Sequence, residues 1–538
     1  MKKLPSLPDI PEQDQTPVVK ALLALVEQLV EQVQQQAEEI ALLKDEVNIL
    51  KGEKKRPVFK GSKLDKQTDP EKPSEQPKKR AGSAKRKKTR KLVIHKDKVI
   101  KPSEAIPSGS RFKGYRHFIV QDLNINVQTT RYRLEHWVTP QNKTLMGQLP
   151  GALNNRHFGP RLIRYILYQH HHCQTTQPLL LEQLREWGID ISSGQINQLL
   201  LCGQEAFHAE KEALLKAGLT ASSYVTVDDS GARHQGKNGY VTHIGNDFFA
   251  WFKSTRSKSR INFLALLRAG KTDYRLSEAA LFYMKKQRLP GQPLAQLSQH
   301  QGHNVANKED WFKLLDSLLI IRPRHRRLAT EGALLGSVLH HGLCDDLTIV
   351  SDDAGQFNIL LHALCWVHTE RLIHKMLPLN ETHRKEIARI RDQIWCFYAQ
   401  LKRYKITPDK AQKKSLDQRF EEIFTQKTSC ATLNQTLKRI HNNKAELLMV
   451  LDRPEIPLHT NGSETDLRDF VKKRKVSGGT RSDEGRRCRD TFASLKKTCR
   501  KLNISFWHYL TDRLGIGEQP IAPLPDIITA RTSLATGY

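Results

Sequence analysis

The sequence lacks any segment apolar and long enough for a membrane span, and its opening Met1-Lys2-Lys3-Leu4-Pro5 runs into acid and proline with no apolar signal region. Membrane insertion and export are therefore not expected. No two of its eight cysteines, at positions 173, 202, 344, 365, 396, 430, 488 and 499, are separated by two residues, and they form no compact secreted framework. That usage fits a reduced cytoplasmic or nucleoid setting. Acid is also scarce: 57 Asp and Glu face 87 Lys and Arg, for a net charge of +30. Such an excess favours a polyanion, DNA or RNA, because each phosphate contact releases condensed counterions. A ribosomal or scaffold protein would share that charge, so the activity must be read from particular residues.

At 538 residues the chain exceeds what one core usually organises, and several domains are expected. After a flexible 1–19, residues 20–51 place Val26, Val33, Ile40 and Val47 at heptad a positions and Leu22, Leu29, Leu43 and Leu50 at d, with Gln36 interrupting the d series. This predicts a parallel two-stranded coiled coil that makes a homodimer, with one amphipathic helix packed on its own domain as the alternative. Residues 52–110 turn to Lys, Pro, Ser, Glu and Gln and read as a disordered basic linker. Its run Lys85, Arg86, Lys87, Lys88, Arg90 and Lys91 would track a phosphate backbone or simply solubilise the tether. Residues 111–157 contain the alternating stretches 118–123 and 130–137, which predict a small β-containing region. Residues 158–221 read as a helical DNA-binding region: 178–200 has the order helix, Gly188 turn, capped second helix. That is the outline of a helix-turn-helix, with Gln195 and Asn197 on the second helix as DNA-contact candidates, although ordinary helical pairs look the same.

Residues 222–370 form the expected catalytic core. Strands are predicted at 224–228, 239–244 and 248–253 as an antiparallel meander, followed by a helix at 259–269 and an internal strand at 347–351. The 281–332 segment, with its basic Arg322-Pro323-Arg324-His325-Arg326-Arg327, reads as inserted. A helical insertion over 371–455 follows from Ile387, Ile390, Ile394, Phe397 and Leu401 at helical spacing, then Leu433, Leu437 and Ile440. Residues 456–512 read as a catalytic helix and C-terminal helices, and 513–538 as a flexible tail.

Three acids stand out in this frame. Asp228 closes Tyr-Val-Thr-Val-Asp, Asp352 closes Leu-Thr-Ile-Val-Ser-Asp, and Glu464 opens an amphipathic helix. Two carboxylates at strand ends and one facing them from a helix suit Mg2+, because hard oxygen ligands are what this ion prefers. Metal-bound carboxylates of this kind serve in-line displacement on a phosphodiester. Asp229 and Asp353 should point to the opposite faces of their strands. Arg468, four residues after Glu464, can orient its carboxylate; Lys472, Lys473, Arg474 and Lys475 continue that helix as DNA-backbone contacts or as a solvated basic face. Cys365 and His368 make only half of a four-coordinate zinc site, and a packed helical signature with His368 supporting the active site is the stronger reading.

At these residues the chain resembles the IS66-like group of bacterial DDE-type DNA transposases. Val227-Asp228-Asp229-Ser230-Gly231 resembles the first-aspartate motif. Ser351-Asp352-Asp353-Ala354-Gly355-Gln356-Phe357, followed by Cys365-Trp366-Val367-His368, resembles the second-aspartate block, and Asn461-Gly462-Ser463-Glu464-Thr465-Asp466-Leu467-Arg468 the final-acid block. The group's cysteine-rich zinc module has no match here, and Gly462 stands where asparagine is common. The resemblance implies a multidomain α+β protein with an RNase H-like α/β core. It would bind double-stranded DNA at the terminal inverted repeats of a mobile element and at target DNA, expose a 3′-hydroxyl and join it to target, alone or with accessory proteins. A nucleoid-associated bacterial location goes with that activity. A structure-specific nuclease or resolvase, and a noncatalytic DNA-binding scaffold, are the competing functions.

Overall fold

The computed structural model describes residues 93–150, 156–341 and 346–535, besides Thr16 and Val19. The heptad segment 20–51 and the basic run 85–91 lie outside the described residues. The chain divides into units 1–100 and 101–538, and the architecture below belongs to the second.

The stretch expected to be β-rich contains one small hairpin, β1 (His136–Val138) and β2 (Thr144–Met146); the alternating 118–123 stretch has no regular structure. Its apolar side chains, Phe118 and Val120 among them, are exposed, so alternation finds no second layer to pack against. Four helices follow: α1 (Pro160–His171), α2 (Gln177–Glu186), α3 (Ser193–Leu201) and α4 (Glu205–Ala221). Helices α2 and α3 meet as the sequence indicates. Gly188 takes φ +81° after α2, and Ser192 caps α3 in a reciprocal box with Gln195. Leu180, Leu184, Ile196 and Leu200 seal the pair.

The central sheet contains β3 (Tyr224–His234), β4 (Lys237–Gly245) and β5 (Ala250–Thr255) as an antiparallel meander. The first strand does not end at Asp228. It continues six residues further because β4 pairs along its whole length, from Thr226↔Gly245 to His234↔Lys237. The turn between them places Gln235 and Gly236 at φ +49° and +74°, the two positive values that a tight hairpin needs. After β5 come α5 (Arg260–Leu267), β6 (Tyr274–Arg275), α6 (Glu278–Lys286), α7 (Gly291–Ser298), β7 (Asn304–Val305), α8 (Lys308–Ser317) and α9 (Pro323–His340). The 281–332 segment is thus not a separate appendage. Trp311, Leu315 and Leu328 join the main core, and Gly336 of α9 passes so close to β6 that a Cβ there would lie 2.3 Å from the Arg275 carbonyl oxygen.

The sheet then gains β8 (Thr348–Ser351), parallel to β3, and β9 (Leu361–Leu364), parallel to β8, giving the order β5-β4-β3-β8-β9. Strand β9 is too short to be read from periodicity. Helices α10 (Trp366–His374), α11 (Glu381–Ile406), α12 (Lys410–Phe424), α13 (Ala431–Asn442) and α14 (Lys444–Leu448) follow, with their own core around Trp366, Phe397 and Phe420. Helix α15 (Asn461–Ser477) lays Leu467 and Phe470 on Ala232, Val241 and Phe252 of the sheet. Helix α16 (Asp483–Lys501) covers the β5 edge. Asp490, Ser494 and Thr498, spaced four apart, accept hydrogen bonds from the backbone N–H groups of Ser254, Phe252 and Ala250 at 2.7, 2.9 and 3.1 Å. A row of side chains thereby satisfies donors that an open edge would leave available for pairing with another strand.

Helix α17 (Phe506–Arg513) is followed by α18 (Leu524–Ala535), where a free tail was expected. Glu210 of α4 holds the junction: it accepts from Arg513 Nε and Nη2 at 2.9 Å and from the Leu524 N–H at 3.0 Å, while Leu524 and Ile528 bury completely. Among the described residues no helix is long and apolar enough to cross a membrane.

Candidate active-site groove

The parallel register brings the two aspartates together. Thr226 pairs with Val350 across β3 and β8; Asp228 lies two residues further along β3 and Asp352 directly follows the last residue of β8, close enough for the Asp352 charge to act on Asp228. Helix α15 is fixed beside them: Ser463 donates to Thr226 Oγ1 at 2.7 Å, and Glu464 is the next residue. Burial pushes the Asp228 carboxyl up to about 6, with Asp352 and Glu464 adding to the push; the Asp229 N–H, 2.7 Å from Asp228 Oδ1, and His368 oppose it. The charges of Asp352 and Glu464 thus both reach Asp228.

They are nevertheless not gathered around one point. Among the described residues no group of three or more His, Cys, Asp or Glu is placed to hold a metal ion. Glu464 is drawn toward cations: its Oε1 lies 3.1 Å from Arg371 Nη1 and 3.5 Å from His368 Nε2, and its Oε2 lies 3.9 Å from Arg468 Nη2. The physical reason is plain, since three carboxylates repel one another and each settles on the nearest positive partner.

The neighbouring acids have other work. Asp229 accepts from Thr242 Oγ1 at 2.5 Å and from Gln356 Nε2 at 3.1 Å, and Asp353 pairs with Arg439 of α13. Strand alternation thus separates Asp229 from Asp228 as expected.

Cys365 is buried and its Sγ accepts from the Thr460 N–H at 3.4 Å, tying the start of α10 to the start of α15. Burial opposes ionisation of this thiol, but the adjacent His368 more than offsets it and the thiol is lowered. His368 moves the other way: burial lowers it, yet Cys365 and Glu464 outweigh that and leave it raised. The pair thus acts as a packed signature beside the acids, as the sequence suggests.

The groove beside Asp352 encloses about 470 Å³ and is lined by His368, Arg371, Lys375, Arg439 and Asn443. Sequence reasoning missed Arg371, Lys375 and Arg439. Arg371 was accessible to it, because it follows His368 by three residues on the same helix face. Arg439 was not, because the fold of the helical insertion alone brings it to Asp353.

The basic stretch after Glu464 is not one continuous face. Lys472 and Lys475 are exposed, whereas Lys473 donates to the His170 carbonyl at 3.0 Å and Arg474 turns onto the Gly231 carbonyl. On the second helix of the helical pair, Gln195 is exposed but engaged in the cap, and Asn197 Oδ1 accepts from Gln177 at 3.3 Å.

Residues 340–487 match the model of the Transposase IS66 family, a span that holds Asp352, the Cys365–His368 signature and Glu464. The chain is also 44% identical over 320 residues to the Uncharacterized protein y4jO of Sinorhizobium fredii, covering 59% of this chain and 100% of that protein. Identity at that level over the relative's full length makes this chain a member of the same family. Across residues 340–487 that membership is of the IS66 transposase type.

Proposed function

We propose that the protein is a DDE-type DNA transposase that binds mobile-element ends and carries out metal-dependent DNA cleavage and strand transfer on an RNase H-like core. The observation that carries this reading is that Asp228 lies on β3 and Asp352 directly after the end of the parallel neighbour β8, with Glu464 on a helix hydrogen-bonded to β3. The antiparallel meander extended by two parallel strands supports the RNase H-like assignment.

The donor chemistry fits a hard divalent cation: the groups are carboxylates, and Asp228 is held in a setting that penalises its charge when no cation is near. Asp228 and Asp352 would hold Mg2+ or Mn2+, and Glu464 would complete the set. Bound there, the ion would supply Lewis acidity and lower the proton affinity of the attacking oxygen. The protein's own groups do the positioning. Arg371, Lys375 and Arg439 give the groove the positive lining that a phosphodiester needs, and His368 lines it on the same side. Arg371 holds Glu464 until a phosphate competes for the guanidinium, which frees the carboxylate as substrate enters.

The test is strand transfer from labelled terminal-repeat DNA with magnesium and manganese in parallel. Asp228→Asn, Asp352→Asn and Glu464→Gln should each bind DNA and form no cleaved or joined product. Normal joining after any one change removes that residue from the site. Nicked DNA without joined ends, from the unaltered protein, would assign a nuclease instead.

A further inference from the structure

A larger cavity, about 640 Å³, opens on the opposite side of α15 from the acid groove, between α15, the first turns of α16 and the α1–α3 helices. Its charge is unbalanced. The two carboxylates on its wall are already engaged: Asp466 lies 2.9 Å from Lys501 Nζ, and Asp469 lies 2.7 Å from Lys497 Nζ. Lys473 and Lys496 also line the cavity, and among the described residues neither is paired with a carboxylate.

Each of these lysines instead donates to a carbonyl at the last turn of α1, Lys473 to His170 at 3.0 Å and Lys496 to His171 at 3.3 Å. An ammonium has three donors, so two remain on each. The end of a helix offers only about half a negative charge, which leaves roughly one and a half positive charges uncompensated at the cavity wall. The histidines add no positive charge of their own, since burial pushes His170 down to about 4 and His171 well below its ordinary value. The lysines feel the same imbalance: burial and mutual repulsion bring Lys473 down to about 8. Arg474 and Arg489 extend the positive wall, and Ser193 and Asn197 of α3 face it from the other side.

We infer that this cleft is a phosphate-binding site for the backbone of bound DNA, with Lys473 and Lys496 as its two cations and α3 forming the opposite wall. A phosphodiester supplies the missing charge and accepts the spare N–H groups. The assignment of the phosphate to DNA rests on the proposed function. The site joins two parts of that function, because one end of the cleft is the second helix of the helix-turn-helix outline and the other is the helix that carries Glu464. A strand held there touches both.

The experiment uses the full chain and two probes, a labelled duplex and inorganic phosphate. Duplex affinity is measured as a function of salt for the unaltered protein, for Lys473→Met/Lys496→Met, which keeps the side-chain length, and for Lys473→Arg/Lys496→Arg. Removing one phosphate contact should lower the slope of log K against log salt by about 0.9, equivalent to about a fivefold loss at 0.15 M salt, and the arginine variant should restore it. Should the methionine variant fold poorly, acylation of the unaltered protein decides the matter: the duplex should protect Lys473 and Lys496 more than exposed Lys475. An unchanged slope in a folded methionine variant, or equal acylation with and without duplex, overturns the site. Protection by inorganic phosphate alone, with none from duplex, also overturns it and identifies a free anion as the ligand. Every readout is binding. Lysine-dependent duplex binding without any joined product would refute the transposase and leave the cleft standing, and joining with an unchanged salt slope would do the reverse.

Discussion

Replacing Asp228 with asparagine should stabilise the metal-free protein while abolishing its chemistry. The carboxyl moves from 3.8 to about 6 on folding, and burial is the first cause. At about 1.4 kcal/mol per pH unit this difference is on the order of 3 kcal/mol. The sign follows from the direction. A folded-state value above the unfolded one means that the fold favours the protonated acid, so below pH 3.8 both states are protonated and nothing is lost. As pH rises through the interval up to about 6 the ionised carboxylate increasingly destabilises the native state, and above it the full cost is present. Asparagine is neutral throughout and keeps an oxygen that can accept the Asp229 N–H, the 2.7 Å bond made by the native side chain. Urea titrations in a chelating buffer should therefore show the variant more stable at pH 7.5 by up to about 3 kcal/mol and indistinguishable at pH 4. Adding magnesium should stabilise the native protein and not the variant, since a ligand that binds only the folded state raises stability by mass action. A variant equally or less stable than the native protein at pH 7.5 without metal would refute the reasoning, because Asp228 would then not be held under electrostatic strain.

Two further outcomes follow from charges and seams elsewhere. Asp466→Asn should destabilise by about 1–2 kcal/mol at neutral pH. Burial alone would raise the Asp466 carboxyl, but His243 and Lys501 more than offset it and hold it at about 2; His243 is itself lowered by burial and neutral near pH 7, so Lys501 supplies the lasting charge. Because this value is depressed, the native advantage should be flat above pH 3.8 and fade as pH falls toward about 2; an advantage already fading at pH 6 in urea titrations would contradict it. Charged residues at Val33 and Ile40 should weaken self-association in analytical ultracentrifugation, since a coiled-coil seam would have to desolvate them, and identical association at matched concentration would eliminate that segment as the dimer contact.

What the sequence made legible was local. The capped second helix was written in Ser192 and Gln195, and the helical insertion in the spacing of Ile387, Ile390, Ile394 and Leu401. The end of β3 was not, because what extends that strand past Asp228 is the partner β4, which local propensity does not see. Strand β9 escaped for the opposite reason, since four residues carry too little periodicity to register. Helix α18 was hidden by a tertiary cause, the Glu210 carboxylate of α4, far upstream in the chain, being irrelevant to its local sequence but decisive for its anchoring through Leu524. Within the site, the acids were readable because their neighbours are sequence-local motifs, whereas Arg439 reaches Asp353 only through the packing of the insertion.

The division of labour on α15 explains why so many charged residues sit on one helix. Glu464 meets Arg468, Arg371 and His368, while Asp466, Asp469 and Lys473 line the cleft on the other side. The apolar side of the helix, Leu467 and Phe470, packs on the sheet, and directional contacts on its flanks add to that anchoring: Ser463 to Thr226 at the strand, Asp466 to Lys501 and Asp469 to Lys497 at α16. These contacts surround Glu464 without touching it. Under the proposed function Glu464 would leave Arg371 for a metal ion while its helix stays in place, because a shift of about an ångström in the backbone would misplace the reacting groups. The same contacts fix the helix that walls the cleft, so on the inference drawn above a DNA strand held by Lys473 and Lys496 would be registered against Glu464 through one element.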